Sequence, residues 1–337
     1  MRPFSYARAE GVGAAVRRGT GEGATFLASG TNLVDLMKYD VTRPCAVIDI
    51  GGLPLGGIED LPDGGLRLGA LATNADTAYD PRVLERYPLL SSAILAGASA
   101  QLRNMATNGG NLNQRTRCLY FYDAAAPCNK RVPGSGCGAI GGANRVCGIL
   151  GTSDACIATH PSDMCVALRA LDATVRVTGS EGERALALAD YHRLPGDEPW
   201  RDTTLRPGEL VTAIDLPPEH FNAHWTYLKM RDRQSYAFAL VSAAVAMRIE
   251  NGMIADVRVA LGGVAHKPWR RREAELPLIG QPPTTAAFRR LADTLLEGAR
   301  SFGGNDVKLA LAPRTIVRAL SQAAAGTPQP LADKRIA

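Results

Sequence analysis

Six of the seven cysteines, Cys118, Cys128, Cys137, Cys147, Cys156 and Cys165, fall within one short stretch of the 337-residue chain. The first five recur in steps of ten, nine, ten and nine residues. Between them runs CNKRVPGSGCGAIGGANRVCGILG, rich in glycine and poor in large apolar side chains. Such a segment has too little apolar surface to order itself by burial, so covalent or metal chemistry is expected to hold it. Four thiolates can ligate a [4Fe–4S] cluster, and glycines let backbone N–H groups approach the sulfurs. Lys130 and Arg131 would offset the negative charge of such a cluster. Structural zinc is the competing chemistry, although its usual paired C-x₂₋₄-C knuckles are absent from the sequence. Unliganded thiols are the third alternative, because the spacing matches no standard ferredoxin run.

A second candidate is the turn Gly30–Thr31–Asn32 between an apolar run and LVDLMK, where backbone N–H groups could hold a phosphate. It is neither a G-x-G-x-x-G nor a Walker A loop, so a plain βα turn is its ordinary reading. The similar small-residue turn Ala106–Thr107–Asn108–Gly109–Gly110–Asn111 adds weight, since two such loops could form the walls of one diphosphate cradle. The histidines, His160, His192, His220, His224 and His266, show no metal or catalytic spacing and read as surface or packing residues. With no nucleophile elbow or kinase signature either, the pattern points to electron carriage by cofactors rather than acid–base chemistry.

The elements that must position these residues follow from periodicity. Residues 5–18 have helical spacing, 25–29 read as a strand, 33–38 as a helix and AVIDI as a second strand, which holds Cys45 as an inert core thiol at its start. GLRLGAL alternates as a strand pair would, and a helix is expected from Pro81 through the following apolar run. After the cysteine-rich insertion come the helix DMCVALRALDA and a hairpin closed at Ser180–Gly182. From about Ala223 the pattern becomes an antiparallel meander with an Asn251–Gly252 turn, followed by two helices. The chain is therefore expected to be α+β in class, with an α/β first part at 1–220, an insertion at about 114–158, an α+β second part at 221–326 and a tail at 327–337.

Composition narrows the functional classes. The 46% hydrophobic content describes a globular protein, and no run approaches the ~20 apolar residues of a membrane span. The start MRPFSYARAEG lacks the apolar region of a secretory signal, so no export address is expected on this chain. The net charge of +5 is dispersed, with a small cluster at Arg270–Arg272, and no basic–aromatic interleaving suggests nucleic acid.

FLASGTNLVDLMK, QLRNMATNGGNL, HPSDM, LVTAIDLPP and YLKMRDRQSYAF together resemble the FAD-binding (medium) subunits of the molybdenum hydroxylases, the xanthine dehydrogenase and carbon monoxide dehydrogenase group. The resemblance runs in order from Phe4 to the C-terminal helices. The cysteine-rich insertion, absent from most of that family, is similar to one in bacterial aldehyde oxidoreductase and 4-hydroxybenzoyl-CoA reductase flavin subunits, where it holds an extra [4Fe–4S] cluster. RTRCLYFYD, PCNKR, GSGC and TSDACIATHPSDM look closest to the aldehyde oxidoreductase branch.

The resemblance implies a PCMH-like FAD-binding domain. Leu27, Ala28, Ser29, Gly30, Thr31, Asn32 and Leu33 would wrap the FAD diphosphate, with Ser29 standing where the family has a second glycine. Thr107, Gly110 and Asn111 would form the second wall, Asp163 would lie near the ribityl chain, Val211 near the isoalloxazine and Lys229 close to the flavin, its charge favouring the reduced anionic form. In that branch the position of Cys147 is often histidine and that of Cys165 usually alanine, which implies Cys118, Cys128, Cys137 and Cys156 as ligands and leaves Cys147 as the rival. The implied function is a FAD- and [4Fe–4S]-carrying electron-transfer subunit of a heteromeric aldehyde oxidoreductase. Its partners would be a molybdenum–pterin catalytic subunit, a [2Fe–2S] subunit and an external acceptor such as ferredoxin or oxygen. Its compartment would be the cytoplasm, or the periplasm by co-export on a partner's signal. A 4-hydroxybenzoyl-CoA-reductase-like flavin subunit and a zinc-ordered nucleotide-binding module are the alternatives.

Overall fold

In the computed structural model of the protein, which describes residues 1–219, 221–327 and 329, short β-rich runs at the N-terminus form parallel strands with helices between them. Strands β1 (Ser5–Arg8), β2 (Ala24–Leu27) and β3 (Ala46–Asp49) make a parallel sheet in the order β1-β3-β2. The helical spacing over 5–18 is only half realised: Gly11 breaks it, and a strand precedes the helix Val12–Gly19. Pairing with β3 overrides the local periodicity of residues 5–8, because a backbone ladder is available there. Cys45 is exposed just outside β3, so the expected core thiol is corrected: the strand begins one residue later.

A second sheet is antiparallel, in the order β4-β5-β8-β6-β7. It contains β4 (Ile58–Asp60), β5 (Leu66–Gly69), β6 (Thr174–Gly179), β7 (Gly182–Ala187) and β8 (Leu210–Leu216). GLRLGAL thus supplies one strand, not a pair, and β5 finds its partners in β4 and the distant β8. The helix expected from Pro81 is two, Pro81–Arg86 and Pro88–Ala96, because Pro88 lacks the N–H that would continue the first.

The third sheet is the expected meander β9 (His224–Met230), β10 (Val241–Glu250) and β11 (Met253–Gly262). Asn251 and Gly252 have φ of 51° and 76°, the left-handed pair that a tight hairpin of matching twist demands. The apolar run in β10 is buried on both faces. Ala244 and Ala246 join the core beneath the second sheet, while Val241, Val245 and Met247 pack toward helices Thr285–Leu295 and Val307–Ala324. Small residues on one face and large ones on the other let both layers approach this strand. The last helix starts earlier than its sequence suggests, since Pro313 lies inside it.

The cysteine loop joins these two parts. It has a small core of its own, in which Phe121, Ala139 and Ile157 pack with Cys118, Cys128, Cys147 and Cys156. Its exit is tied to the last layer: Ile149 and Leu150 enter that core, and their N–H groups donate to Val264 O at 2.8 and 3.0 Å. The segment boundary set at 220 and most of the tail from 328 fall on residues outside those described.

Candidate functional site

Loops after β2 and before the helix Asn108–Leu112 enclose a cavity of about 410 Å³, a volume typical of small-molecule sites. Ala28, Ser29, Gly30, Thr31, Asn32 and Leu33 form one wall; Thr107, Gly109 and Gly110 form another, and Val211 of β8 closes the side. Gly30 has φ of 77°, which a β-carbon makes costly, and such a carbon would stand 2.8 Å from Val34 Cγ2. A β-carbon on Gly110 would meet only Thr107 Oγ1, at 3.0 Å. The Thr107 hydroxyl accepts the Gly110 N–H, while buried Asn108 locks the turn from beneath, accepting from Asn74 Nδ2 at 3.1 Å and donating to Gly69 O at 3.2 Å.

The cavity is built for a polar ligand. The Asn32 amide oxygen accepts the Arg115 N–H at 2.9 Å, but its buried Nδ2 and the Thr42 hydroxyl have no hydrogen-bond partner of normal geometry among the described residues. Buried donors left unmet cost about 1–3 kcal/mol each, so a ligand that accepts from them gains that much. The residues present therefore fit the diphosphate and sugar of FAD.

Not every expected contact is gathered here. Leu27 lies behind the loop rather than in the cavity, and Asn111 turns away to donate to Asn74 Oδ1 at 2.6 Å and accept from Ser162 Oγ at 2.6 Å. Asp163 and Lys229 form a buried ion pair at 2.7 Å outside this cavity, and Asp163 also accepts the Tyr227 hydroxyl at 2.5 Å. Lys229 is thus neutralised locally, which weakens the expectation that its charge favours an anionic flavin. Asp163 lines a smaller neighbouring cavity of about 90 Å³ together with Cys118, Cys147 and His160.

Sequence reading missed Arg115, Thr42 and Glu209, all of which line the large cavity. Arg115 is held by Asp202 at 2.7 Å, and its guanidinium lies 4.7 Å from the Phe121 ring centre. No motif marks these residues, because strand pairing and loop closure bring them together. Lys130 is buried and bonded to the same Asp202 and to Pro199 O, while Arg131 donates to Tyr120 O and Phe121 O. Both still favour the thiolate form of neighbouring sulfurs, Lys130 at Cys156 and Arg131 at Cys128, while one is also paired and the other staples the loop.

Five thiols converge next to this cradle. Cys118, Cys128, Cys137 and Cys156 line one small cavity of about 10 Å³, with Lys130 and Phe121. Nearby backbone N–H groups favour the thiolate at each of these sulfurs: those of Tyr120 and Phe121 at Cys118, of Arg131 and Lys130 at Cys128, of Ala139, Ile140 and Ile157 at Cys137, and of Ala158 at Cys156. Cys147 beside Cys118, and Cys156 beside Cys137, each draw the neighbouring thiol below its usual value as its thiolate finds a donor. Four soft donors facing one space, each met by backbone N–H groups, are a donor set that suits an iron–sulfur cluster. Cys165 is fully buried in the helix Asp163–Ala170, and burial pushes its thiol up to about 12.

Two of the histidines that looked scattered, His192 and His266, are buried, and His160 is half-buried. His160 and His192 stack with ring centres 4.3 Å apart, and with Cys165 they bring ligand-type atoms within 4.8 Å of one another. His220 lies outside the described residues.

The comparisons with known proteins bear on the same two regions. Residues 2–219 match the FAD binding domain in molybdopterin dehydrogenase, and residues 225–306 match the CO dehydrogenase flavoprotein C-terminal domain. The chain belongs to the FAD-binding subunits of the molybdenum hydroxylase family. This subunit is an oxidoreductase component with a mixed α/β FAD-binding domain and a C-terminal antiparallel layer. It is 49% identical over 327 residues to the aldehyde oxidoreductase FAD-binding subunit PaoB of Escherichia coli K12, covering 96% of this chain and 99% of that one. It is 28% identical over 279 residues to the glyceraldehyde dehydrogenase medium chain of Sulfolobus acidocaldarius, covering 82% of each. Among solved structures, the carbon monoxide dehydrogenase of Hydrogenophaga pseudoflava superposes with a TM-score of 0.75 at 26% identity, over 97% of this subunit and 99% of that chain. No helix among the described residues is long and apolar enough to cross a membrane.

Proposed function

We propose that this subunit carries FAD and one [4Fe–4S] cluster in a heteromeric molybdenum-dependent aldehyde oxidoreductase. It would receive electrons from [2Fe–2S] centres of one partner, downstream of a molybdenum–pterin catalytic partner, and deliver them to an external acceptor. The observation that carries this reading is the juxtaposition of an FAD-type cradle with four cysteines that line one small cavity. The kinship with an aldehyde oxidoreductase FAD-binding subunit supports the choice of reaction.

When bound, FAD exchanges electrons in pairs or singly and an iron–sulfur cluster exchanges them singly, so the two together connect one-electron and two-electron partners. The chain's own residues would do the holding. The segment Ala28–Leu33 with Thr107 and Gly110 would cradle the diphosphate, and Val211 would pack against the ring system. Leu27 would support that loop, while Asn111, Asp163 and Lys229 would act from behind, by fixing loop and helix positions. Cys118, Cys128, Cys137 and Cys156 would be the cluster ligands. The functional parts would be residues 1–220 with the insertion at about 114–158, and residues 221–326. The compartment would be the cytoplasm, or the periplasm if a partner carries the export signal.

The test is anaerobic purification of the intact complex with flavin, iron, acid-labile sulfide and metal analysis. One FAD with four iron and four sulfide beyond those of the [2Fe–2S] partner supports the reading. Zinc in place of iron would favour the zinc-ordered alternative, and aldehyde oxidation by this subunit alone would overturn the proposed division of labour.

A further inference from the structure

Lys308 is the one buried lysine of the loop region whose charge has no carboxylate beside it among the described residues. It sits in the first turn of helix Val307–Ala324 with 0% exposure. Its ammonium donates to three backbone carbonyls, Val146 O at 3.0 Å, Cys147 O at 2.8 Å and Gly263 O at 2.7 Å. The contrast with the other buried lysines is clear: Lys130 is paired with Asp202 and Lys229 with Asp163. Burying an ammonium without an anion costs several kcal/mol, and carbonyl dipoles recover only part of it.

The missing anion is suggested by what lies on the other side of residue 147. Cys147 packs with Cys118 in the loop's small core and lines a cavity with it, and Cys118 is one of four sulfurs around the proposed cluster site. A cluster held by four thiolates carries net negative charge and gains a further negative charge when reduced. In a water-poor loop a fixed cation nearby favours the more negative state.

We infer that Lys308 is a built-in counter-charge of the cysteine-loop cluster, acting from behind Cys147 in addition to Lys130 and Arg131, a positioning and tuning residue that raises the cluster's reduction potential. The inference rests on the cluster reading of the preceding subsection. It assigns the C-terminal layer a part in electron transfer: the helix that closes the third sheet delivers a charge to the back of the loop. Burial, with Arg145 nearby, lowers the ammonium's pKa to about 8, and a neighbouring anion would raise it and secure the charge.

The experiment compares wild-type complex with Lys308→Met, Lys308→Gln and Lys308→Arg. Methionine removes charge and hydrogen bonds, glutamine keeps donors without charge, and arginine keeps the charge. Iron and acid-labile sulfide are measured first, and the cluster midpoint is then read by EPR-monitored redox titration. Lys308→Met and Lys308→Gln should each shift the oxidised-to-reduced equilibrium about tenfold toward the oxidised cluster, a fall of about 59 mV for a one-electron couple. Lys308→Arg should restore most of the shift. In chelator-stripped protein the order of stability should invert, Lys308→Met becoming at least as heat-stable as wild type, because the buried charge then faces no anion. An unchanged midpoint in cluster-loaded Lys308→Gln overturns the inference and leaves the cluster reading intact. So does failure of both neutral variants to fold in stripped and loaded forms alike, which would make Lys308 a structural pin. Wild-type complex without iron and sulfide would defeat the cluster reading itself.

Discussion

Lys229 Nζ lies 2.7 Å from Asp163 Oδ2, and the pair joins β9 to the first residue of the helix Asp163–Ala170 with side-chain exposures of only 5% and 8%. Tyr227, also on β9, donates its hydroxyl to the other carboxylate oxygen, so the carboxylate is satisfied from one strand on both sides. Lys229 further donates to Ala96 O at 3.0 Å, which ties in the end of the helix Pro88–Ala96. Removing the lysine alone leaves a buried carboxylate with half of its partners. Lys229→Met should therefore destabilise the subunit by about 3–5 kcal/mol, whereas Tyr227→Phe should cost about 1–3 kcal/mol. Denaturant midpoints of the two variants at constant m-value would check the order; a Lys229→Met protein as stable as wild type would contradict it.

The cradle predicts FAD held without a covalent bond. Gly30→Val places a branched side chain at φ of 77° and against Val34, so the loop must move. Flavin content after desalting should fall to about a tenth or less of wild type, while the far-ultraviolet circular dichroism stays close to native because the strain is confined to one turn. Flavin that remains with the polypeptide after acid precipitation would show that the attachment is of another kind.

The thiols should divide sharply. Replacing Cys118, Cys128, Cys137 or Cys156 by serine exchanges a soft thiolate for a hard, mostly protonated hydroxyl, and each variant should lose the iron of the cysteine loop. Cys147→His and Cys165→Ala should keep it. Limited proteolysis should then cut the iron-free variants between residues 128 and 148, where few apolar side chains hold the loop. Retention of iron in Cys156→Ser together with its loss in Cys147→His would exchange those two assignments.

Acid should weaken the subunit before its carboxylates titrate. Burial lowers His192 to about 4 and lowers His160 and His266 well below the usual histidine value. The unfolded chain binds these protons near pH 6.5 while the native state refuses them, so stability is fully present above that pH and falls as pH drops toward 4. His192, the histidine lowered to about 4, should account for about 3 kcal/mol of that loss. Urea unfolding between pH 7.5 and 4.5 should show the decline, and His192→Gln should flatten it; an equally steep decline in the variant would assign the effect elsewhere.

Much of the site was legible from residue type and order. The turns Gly30–Thr31–Asn32 and Thr107–Gly110 could be read as cradle walls because glycine and small polar residues have few other uses between apolar runs. The helix Leu33–Lys38, the hairpin at Ser180–Gly182 and the Asn251–Gly252 turn followed from local chemistry that tertiary contacts did not override. Where a second partner was available, local reading failed. Residues 5–8 became a strand because β3 offered a ladder, and β5 paired with a strand nearly 150 positions later, Arg67 meeting Asp215 at 2.7 Å.

The sequence by itself determined the chemical parts list: six clustered thiols, two small-residue turns and a kinship carried by ordered motifs along the whole chain. It could do so because donor softness, glycine freedom and periodicity are properties of single residues and their neighbours. Only the tertiary structure decided which parts meet. It set Lys229 against Asp163, gave Lys130 to Asp202 while leaving Lys308 among carbonyls, and turned backbone N–H groups toward four sulfurs and the fifth thiol toward Cys118. Those pairings depend on which sheets and helices pack together, and packing is fixed by the summed burial of residues far apart in the chain, which no local pattern records.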